Sequence, residues 1–393
     1  MSVALSKEQR AAIAEIERWY ERGAREYKLG GLAGTGKTTI AAALPALLGL
    51  SAGQVAYCTY TGKAAHVLNR RLGEASATTI HRLIYEPEER HCGRCPRGRG
   101  EVVRCHGESC GVCGIRWTRV PALASGLKLI VVDEASMVNE ELHDDLASYG
   151  VPIVWIGDHG QLPPVRGVSR LIDDPDFRLE TVHRQVADSP ILKLAMCARD
   201  TGQIAYGEYG PGVVKRENDG EIEVGGADWS ELLILCGTNR TRVALNRAAR
   251  DQRGFSDEHP VPGDRVICLR NNYTSEVFNG TTGTILDCEP SESSKTYRAT
   301  IQLDGDDRLY EHGIAREQFN HKSTLSEVPR YTDLWDYGYC LTVHKAQGSE
   351  AERVILIEER LPGPPGRQEA LAQHKRWLYT GITRAQSELE ILA

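Results

Sequence analysis

Apolar residues change their spacing along the chain, and the changes mark short helices and strands. Over Lys7 to Arg25, Ile13, Ile16 and Tyr20 recur at helical spacing and predict an amphipathic helix. A strand ending near Leu29 follows, then a glycine-rich turn and a small-residue helix from about Lys37. Gln54 to Thr59 reads as a second strand, and Leu127 to Val132 and Val151 to Ile156 are short continuous apolar runs. Such runs suit parallel strands buried on both faces. Leu232 to Leu235, Arg353 to Ile357 and Leu389 to Leu392 predict strands of a second sheet. Strands alternating with helices argue for an α/β architecture.

Two stretches break this rhythm. Pro87 to Arg119 is rich in Gly, Cys and Arg, with few aliphatic residues and seven arginines against four glutamates, and reads as an inserted module. Pro262 to Asp336 holds the short strand candidates Arg265 to Leu269, Thr284 to Leu286 and Tyr297 to Leu303, separated by turn residues such as Asn279-Gly280. That pattern predicts a small β-barrel insertion.

A chain of 393 residues is long enough for two or three domains. With 41% hydrophobic and 26% charged residues it is globular rather than disordered. The longest apolar run, Ile40 to Leu50, contains Pro45 and is too short to cross a membrane. Met1 to Arg10 is polar and lacks an apolar signal region, so a cytoplasmic location is expected, in a bacterium or a phage-infected host. The net charge of −7 argues against a nucleic-acid coat but leaves room for a local basic groove. Five of the eleven cysteines fall between Cys92 and Cys113, which in a chain without an export signal points to metal rather than to disulfides.

Gly31 to Thr38 reads Gly-Leu-Ala-Gly-Thr-Gly-Lys-Thr and fits the phosphate-loop pattern between a predicted strand and a predicted helix. Backbone N–H groups of Gly34, Thr35, Gly36 and Thr39 would curl around phosphates, helped by the positive field of the helix start. Lys37 would reach the β- and γ-phosphates, and the Thr38 hydroxyl would ligate Mg²⁺. About a hundred residues on, Val131-Val132-Asp133-Glu134 closes an apolar strand. Asp133 suits Mg²⁺ and Glu134 suits polarising an attacking water.

Together these motifs resemble a superfamily one DNA helicase of the RecD/Dda-like branch, which moves 5′ to 3′ on single strands. Leu5 to Gln9 resembles its Q-motif, Thr61 to Ala65 motif Ia, Thr79 to Leu83 motif Ib and Asp133 to Ser136 motif II. Gly157 to Pro164 is similar to motif III, and His183-Arg184-Gln185 to motif IV. Thr342 to Ser349 resembles motif V, and Tyr379 to Ala385 motif VI. The resemblance implies Gln9 at the adenine edge, Gln161 sensing the γ-phosphate, and Arg184 and Arg384 as arginine fingers, with Gly348 and Glu350 lining the nucleotide pocket. It implies DNA contacts from Thr61, Lys63, Thr79 and His81 on one motor and from Thr238, Asn239, Thr342 and His344 on the other. A sliding motor grips phosphates and stacks bases rather than reading them. For each of these residues the competing reading is a strand-end cap or a satisfied polar residue. Lys345 and Gln347 are candidates for coupling the DNA groove to the ATP cleft.

Cys92-x-x-Cys95 and Cys110-x-x-Cys113 have the spacing of a tetrahedral zinc site, with Cys105, His106 and His91 as alternative donors. Reduced loop cysteines and a redox switch are the competing readings. The family carries a strand-separating hairpin in this segment. The expectation is therefore a zinc-stapled module placing Arg94, Arg97, Arg99 and Arg104 at the fork, with a protein-docking knob as the alternative.

The expected organisation is a first RecA-like motor over 1–86 and 120–178, a zinc insertion over 87–119, a second motor over 179–261 and 337–393, and an SH3-like barrel over 262–336. The expected activity is an ATP- and Mg²⁺-dependent helicase, monomeric, acting on single-stranded DNA and forks with replication or recombination proteins as partners and no membrane, in a pathway of replication, recombination or repair that the sequence leaves open. A translocase that strips proteins or anneals strands without unwinding, and a docking subunit that only signals nucleotide state, are the alternatives. RNA as the track stays open.

Overall fold

A computed structural model describes residues 5–72, 76–90, 114–163, 171–181, 188–220, 222, 228–229, 231–272, 275, 277–291, 295–304, 309–325, 332–361 and 366–393. Two six-stranded sheets carry the helices, and a five-stranded sheet is inserted in the second half. In the first sheet the order is Ala77–Thr79, Val55–Thr59, Leu129–Asp133, Ile153–Gly157, Glu26–Gly31 and Phe177–Leu179. All its pairings are parallel. Leu129–Asp133 and Ile153–Gly157 are buried at every position, which is why they read as unbroken apolar runs. Ile153–Gly157 lies between the phosphate-loop strand and the strand ending in Asp133. The residues just after Gly157 therefore emerge between Lys37 and Asp133.

The second sheet runs Cys340–Thr342, Leu232–Cys236, Ala351–Ile357, Ala385–Leu392, Val213–Arg216 and Gly207–Gly210, with only the last pair antiparallel. Both sheets have the parallel α/β build expected of RecA-like motors. The inserted sheet is antiparallel, in the order Leu309–Ala315, Thr296–Leu303, Thr282–Pro290, Arg265–Cys268 and Trp335–Tyr337. It closes on a core of its own, with Val266, Ile285, Ile301, Tyr310 and Trp335 buried.

Several boundaries differ from the sequence reading. The first helix covers Lys7–Glu21 rather than reaching Arg25, because Gly23 adopts φ 68° and turns the chain. Its start is a capping box between Ser6 and Gln9. Thr282–Pro290 extends well beyond Thr284 to Leu286, since its second half is largely exposed and carries no apolar alternation to read. Tyr85–Arg90 pairs with Gly114–Arg119, so the inserted module hangs on an antiparallel stem that begins before Pro87. Arg119 anchors that stem to Asp145 at 3.0 Å. Cys92, Cys95, Cys105, Cys110, Cys113, His91, His106 and the four arginines between Arg94 and Arg104 lie outside the described residues, as do His183, Arg184 and Gln185. No described helix is long and apolar enough to cross a membrane.

The two motors share buried surface. Leu32 of the phosphate loop and Leu162 after Gln161 pack in the same core as Leu341, Val343, Trp377 and Ile382 of the second sheet and its helices.

Candidate nucleotide site and interdomain cleft

The phosphate loop forms as its glycines demand. Gly34 and Gly36 take φ 77° and 82°, conformations a Cβ would strain, and Gly36 then caps the helix Lys37–Leu47. Lys37 folds over the loop, its Nζ donating to the carbonyls of Gly31 at 2.8 Å and Leu32 at 3.0 Å and lying 3.7 Å from Asp158 Oδ2. Thr35 is buried, and its hydroxyl donates back to Leu32 O. Thr38 Oγ1 donates to Asp133 Oδ2 at 3.5 Å across the two strand ends. Two hard oxygens facing each other beside a phosphate-binding loop fit Mg²⁺, which takes one or two protein oxygens and completes its shell with phosphates and water. A site of that kind does not need three clustered ligands, and none of the described residues forms such a cluster.

Glu134 follows Asp133 with φ 55°, a left-handed conformation rare outside glycine, and this turns it away from the strand. Burial first, and the Asp133 carboxylate second, push its carboxyl up to about 7, against the pull of Arg384 and Lys37. A carboxylate poised there is a ready proton acceptor. Gln161 is buried, its Nε2 donating to Asp158 Oδ2 at 3.4 Å. Its Oε1 has no partner among the described residues.

Arg384 comes from the second motor. Its guanidinium donates to Thr380 O, Ser349 O and the Thr383 hydroxyl at 3.0–3.1 Å. It lines a cavity of 680 Å³ together with Thr38, Asp133, Glu134 and Gly348. Glu350 also reaches this cavity but is exposed and accepts from Gln386 at 3.0 Å. Gln9 is buried beneath the loop. Its Nε2 donates to Thr35 O at 3.1 Å and its Oε1 accepts the Ser6 N–H, so its amide braces the phosphate loop.

The candidate DNA residues divide in two. Thr61, Thr79, Thr238 and Thr342 each accept a backbone N–H three residues on, the geometry of a local cap. Asn239 accepts from Arg242 Nε at 3.1 Å. His81 sits between the rings of Tyr60 and Tyr85, and burial lowers its pKa, as it does for His344. Lys63 faces the ion pair of Arg265 and Asp304 on the inserted sheet, and burial favours its neutral form. Phe278, in the loop before Thr282–Pro290 of that sheet, lies directly against Gly62, where an added Cβ would overlap it. Lys345 donates to Asn279 Oδ1 at 2.8 Å.

Of the residues that join the motors, sequence reasoning gave a role to Gln347 and none to Asp158, Leu162, Tyr379 or Thr380. Asp158 is almost fully buried, and its Oδ2 accepts from Tyr379 OH at 2.8 Å, while Tyr379 OH accepts the phosphate-loop N–H of Ala33 at 2.8 Å. Leu162 is gripped at both backbone atoms, its N–H donating to Thr380 Oγ1 at 3.0 Å and its carbonyl accepting from Gln347 Nε2 at 2.9 Å. Asp158 and Tyr379 were visible only as letters inside motifs III and VI. A polar pair that meets across a fold has no local spacing to betray it.

The AAA domain family model matches residues 4–225, and the UvrD-like helicase C-terminal domain model matches residues 337–392. The chain is 28% identical to the ATP-dependent RecD2 DNA helicase of Deinococcus radiodurans over 97% of its own length and 48% of that protein's. It is 25% identical to the conjugal transfer protein TraA of Agrobacterium fabrum, over 98% of this chain and 32% of TraA. It thus spans about half the length of the first relative and about a third of the second. In fold it is similar to Pif1 helicase from Bacteroides in complex with ADP-AlF3 and single-stranded DNA, with TM-score 0.56, 15% identity and coverage of 100% of this chain and 93% of that one. A structure of two Pif1 helicases at forked duplex DNA gives TM-score 0.57 at 16% identity, covering 100% of this chain and 92% of that one.

Proposed function

We propose, for a chain that belongs to the AAA domain family and with it to the RecD- and Pif1-like helicases of superfamily one, that ATP hydrolysis between the two sheets drives movement 5′ to 3′ along single-stranded DNA and unwinding of duplex ahead. The observation that carries this reading is the closed cleft, where Thr38, Asp133 and Glu134 of one motor line a cavity with Arg384 of the other, and where Ala33 and Asp158, the latter beside Lys37 and Gln161, meet Tyr379. A nucleotide held there touches both halves, so binding and hydrolysis change their relation.

ATP would be cradled by Gly34 to Thr39, with Lys37 exchanging the loop carbonyls for phosphate oxygens and Gln9 bracing the loop near the base. Mg²⁺, held by Thr38 and Asp133, would neutralise phosphate charge. Glu134 takes the proton of the attacking water, and Gln161 orients that water. Arg384 and Arg184 stabilise charge on the transferring phosphoryl group from the second motor. Gly348 and Glu350 close the pocket. Thr61, Thr79, His81, Thr238, Asn239, Thr342 and His344 form the DNA track, with Lys63 under the inserted sheet.

The domain division of the sequence reading, with an SH3-like barrel over 262–336, is carried into this proposal. So is a zinc site of Cys92, Cys95, Cys110 and Cys113. In sequence the zinc site lies between the two strands of the stem, whose last described pair is Arg90 with Gly114, and it is proposed on the Cys-x-x-Cys spacing alone. Zinc would supply the staple such a segment otherwise lacks.

The test follows unwinding of duplexes with a 5′ or a 3′ single-stranded tail, with ATP hydrolysis measured in parallel. Opening of only the 5′-tailed duplex supports the proposal. Opening of only the 3′-tailed duplex overturns the polarity. DNA-stimulated hydrolysis with neither opened makes the chain a translocase, and no DNA-stimulated hydrolysis refutes the motor.

A further inference from the structure

We propose that Tyr379 is a positioning residue for ATP hydrolysis, acting through Asp158 to fix the orientation of the Gln161 amide when the cleft is closed. The proposal rests on the reading of Gln161 as the residue that orients the attacking water.

The Tyr379 ring belongs to the helix Arg367–Ile382 of the second motor and is fully buried. Its hydroxyl makes two contacts, both to the first motor: it accepts the Ala33 N–H and donates to Asp158 Oδ2, each at 2.8 Å. Burial and the adjacent Asp158 carboxylate raise the phenol well above its ordinary pKa, so it keeps the proton it donates. The ring lies against the turn after the Ile153–Gly157 strand. A Cβ at Gly160 would meet Tyr379 Cε1 at 2.9 Å and Asp158 Oδ1 at 3.2 Å, so position 160 leaves room only for glycine without a shift.

Asp158 is the hub. Its Oδ1 accepts the Gly160 N–H at 2.9 Å, and its Oδ2 faces Tyr379 OH, Gln161 Nε2 at 3.4 Å and Lys37 Nζ at 3.7 Å. Both Asp158 oxygens serve as acceptors, from the Gly160 N–H and the Tyr379 hydroxyl, so the side chain holds the NH₂ end of the glutamine amide and not the carbonyl end. That fixes which way Gln161 faces. Its Oε1, buried and without a partner among the described residues, is left as the acceptor for a water O–H. An unsatisfied buried carbonyl of this kind is costly and persists where the surroundings hold it.

Opening the cleft withdraws the hydroxyl from Asp158 and Ala33 together. The Gln161 amide is then free to turn, and hydrolysis waits for closure. The phenol thus links the geometry of the second motor to the chemistry of the first through one atom.

The experiment is a double-mutant cycle on ATPase kinetics with an oligo(dT) strand present. Tyr379→Phe keeps the ring and removes the hydroxyl. The expected result is a kcat lowered about tenfold, the scale of one hydrogen bond to a charged group, with KM for ATP changed by less than about threefold. In a Gln161→Ala background the same substitution should change kcat by less than about twofold, because the residue it acts through is gone. An unchanged kcat in Tyr379→Phe, or the full factor persisting beside Gln161→Ala, overturns the proposal, and a merely structural role predicts that persistence. If Tyr379→Phe does not fold, Asp158→Asn enters the cycle in its place with the same two expectations. A Gln161→Ala chain with unchanged kcat overturns both this proposal and the role of Gln161. Lys37→Ala tests hydrolysis itself, so failure of the motor reading is seen separately.

Discussion

Gln347→Leu tests whether motif V and motif III are mechanically joined. The amide of Gln347 is buried and donates from Nε2 to Leu162 O at 2.9 Å, between the segment expected to grip DNA and the residue after Gln161. Leucine has a similar volume and no donor, so the packing stays and the bond goes. A buried carbonyl left without its partner costs about 1–3 kcal/mol. If the whole of that penalty falls on the coupling between the DNA and ATP sites, it corresponds to a loss of about 5- to 150-fold. Leu162 is still held by the Thr380 hydroxyl on its N–H and by its side chain in the second core, so the lower end is expected. The assay is the ratio of ATPase rates with and without saturating oligo(dT), alongside the thermal midpoint. A ratio reduced about fivefold or more supports the join. A lowered midpoint with an unchanged ratio would show that the bond only stabilises the fold and would refute the reasoning.

Gly62→Ala should destabilise the chain by about 1–3 kcal/mol in chemical denaturation, because the new methyl overlaps Phe278, and Gly62→Ala with Phe278→Ala should recover most of the loss. Asp264→Asn should cost about 3–5 kcal/mol, since Asp264 and Arg250 are both almost fully buried and joined by two hydrogen bonds of 2.8 and 3.0 Å, and the change leaves the guanidinium without a charged partner, held by the carbonyls of Asp257 and His259. His143 is raised chiefly by its hydrogen bond to Glu26, and Glu26 is lowered chiefly by the same bond. The histidine's stabilisation is complete below its unfolded pKa and lost as pH rises through its folded one; the glutamate's is present above its unfolded pKa and lost as pH falls through its folded one. The pair therefore helps most in the window between them, and His143→Gln should flatten the fall of the thermal midpoint as pH rises above the ordinary histidine value, an effect on the order of 1 kcal/mol for a partly exposed pair. Purified chain should carry one zinc by elemental analysis, Cys92→Ser should lose it, and a metal-free wild type would remove the zinc site from the proposal.

The nucleotide-binding half of the site was legible because its residues are local. Gly34, Gly36, Lys37 and Thr38 act through backbone conformation and adjacency, and Asp133 ends an apolar strand, so spacing alone carried them. The second sheet and the inserted sheet were legible for the same reason, as strands such as Leu232–Cys236 are buried throughout. What spacing could not carry was pairing across the fold. Asp158, Tyr379, Thr380 and Phe278 matter through partners more than two hundred residues away, and each looks ordinary beside its neighbours. The threonines show the opposite ambiguity. Thr61 and Thr342 sit in motif positions, yet each also caps the turn that follows, and the two roles use the same residue type.

The cleft is closed by apolar contacts as well as by the hydrogen bonds of Tyr379, Thr380 and Gln347. Leu32 sits inside the phosphate loop and Leu162 next to Gln161, and both side chains are buried in the core of the other motor. Burying a leucine is worth about 1.5–3 kcal/mol, so the two together stabilise closure by about 3–6 kcal/mol before any nucleotide binds, which is more than a typical allosteric coupling of about 1–3 kcal/mol. A ligand shifts such an equilibrium only through contacts that differ between the open and closed states. The backbone of the phosphate loop belongs to one motor and offers no such difference. The discriminating contacts must come from groups that cross the cleft, and among the described residues these include Arg384, Gly348, Glu350 and the Tyr379–Asp158–Gln161 chain. Arg384 lies against its own motor through three hydrogen bonds, so its reach across is gained only by exchanging them for phosphate oxygens. In the proposed mechanism phosphate charge on the nucleotide would make that exchange favourable, and release of the γ-phosphate would return the cleft to its apolar contacts and the hydrogen bonds of Tyr379, Thr380 and Gln347. Leu162→Ala would weaken that hold by about 2–5 kcal/mol, and the expected consequence is a chain whose compact, closed form in small-angle scattering depends on a non-hydrolysable ATP analogue. A Leu162→Ala chain equally compact with and without the analogue would show that the hydrogen bonds suffice and that the leucines only fill space.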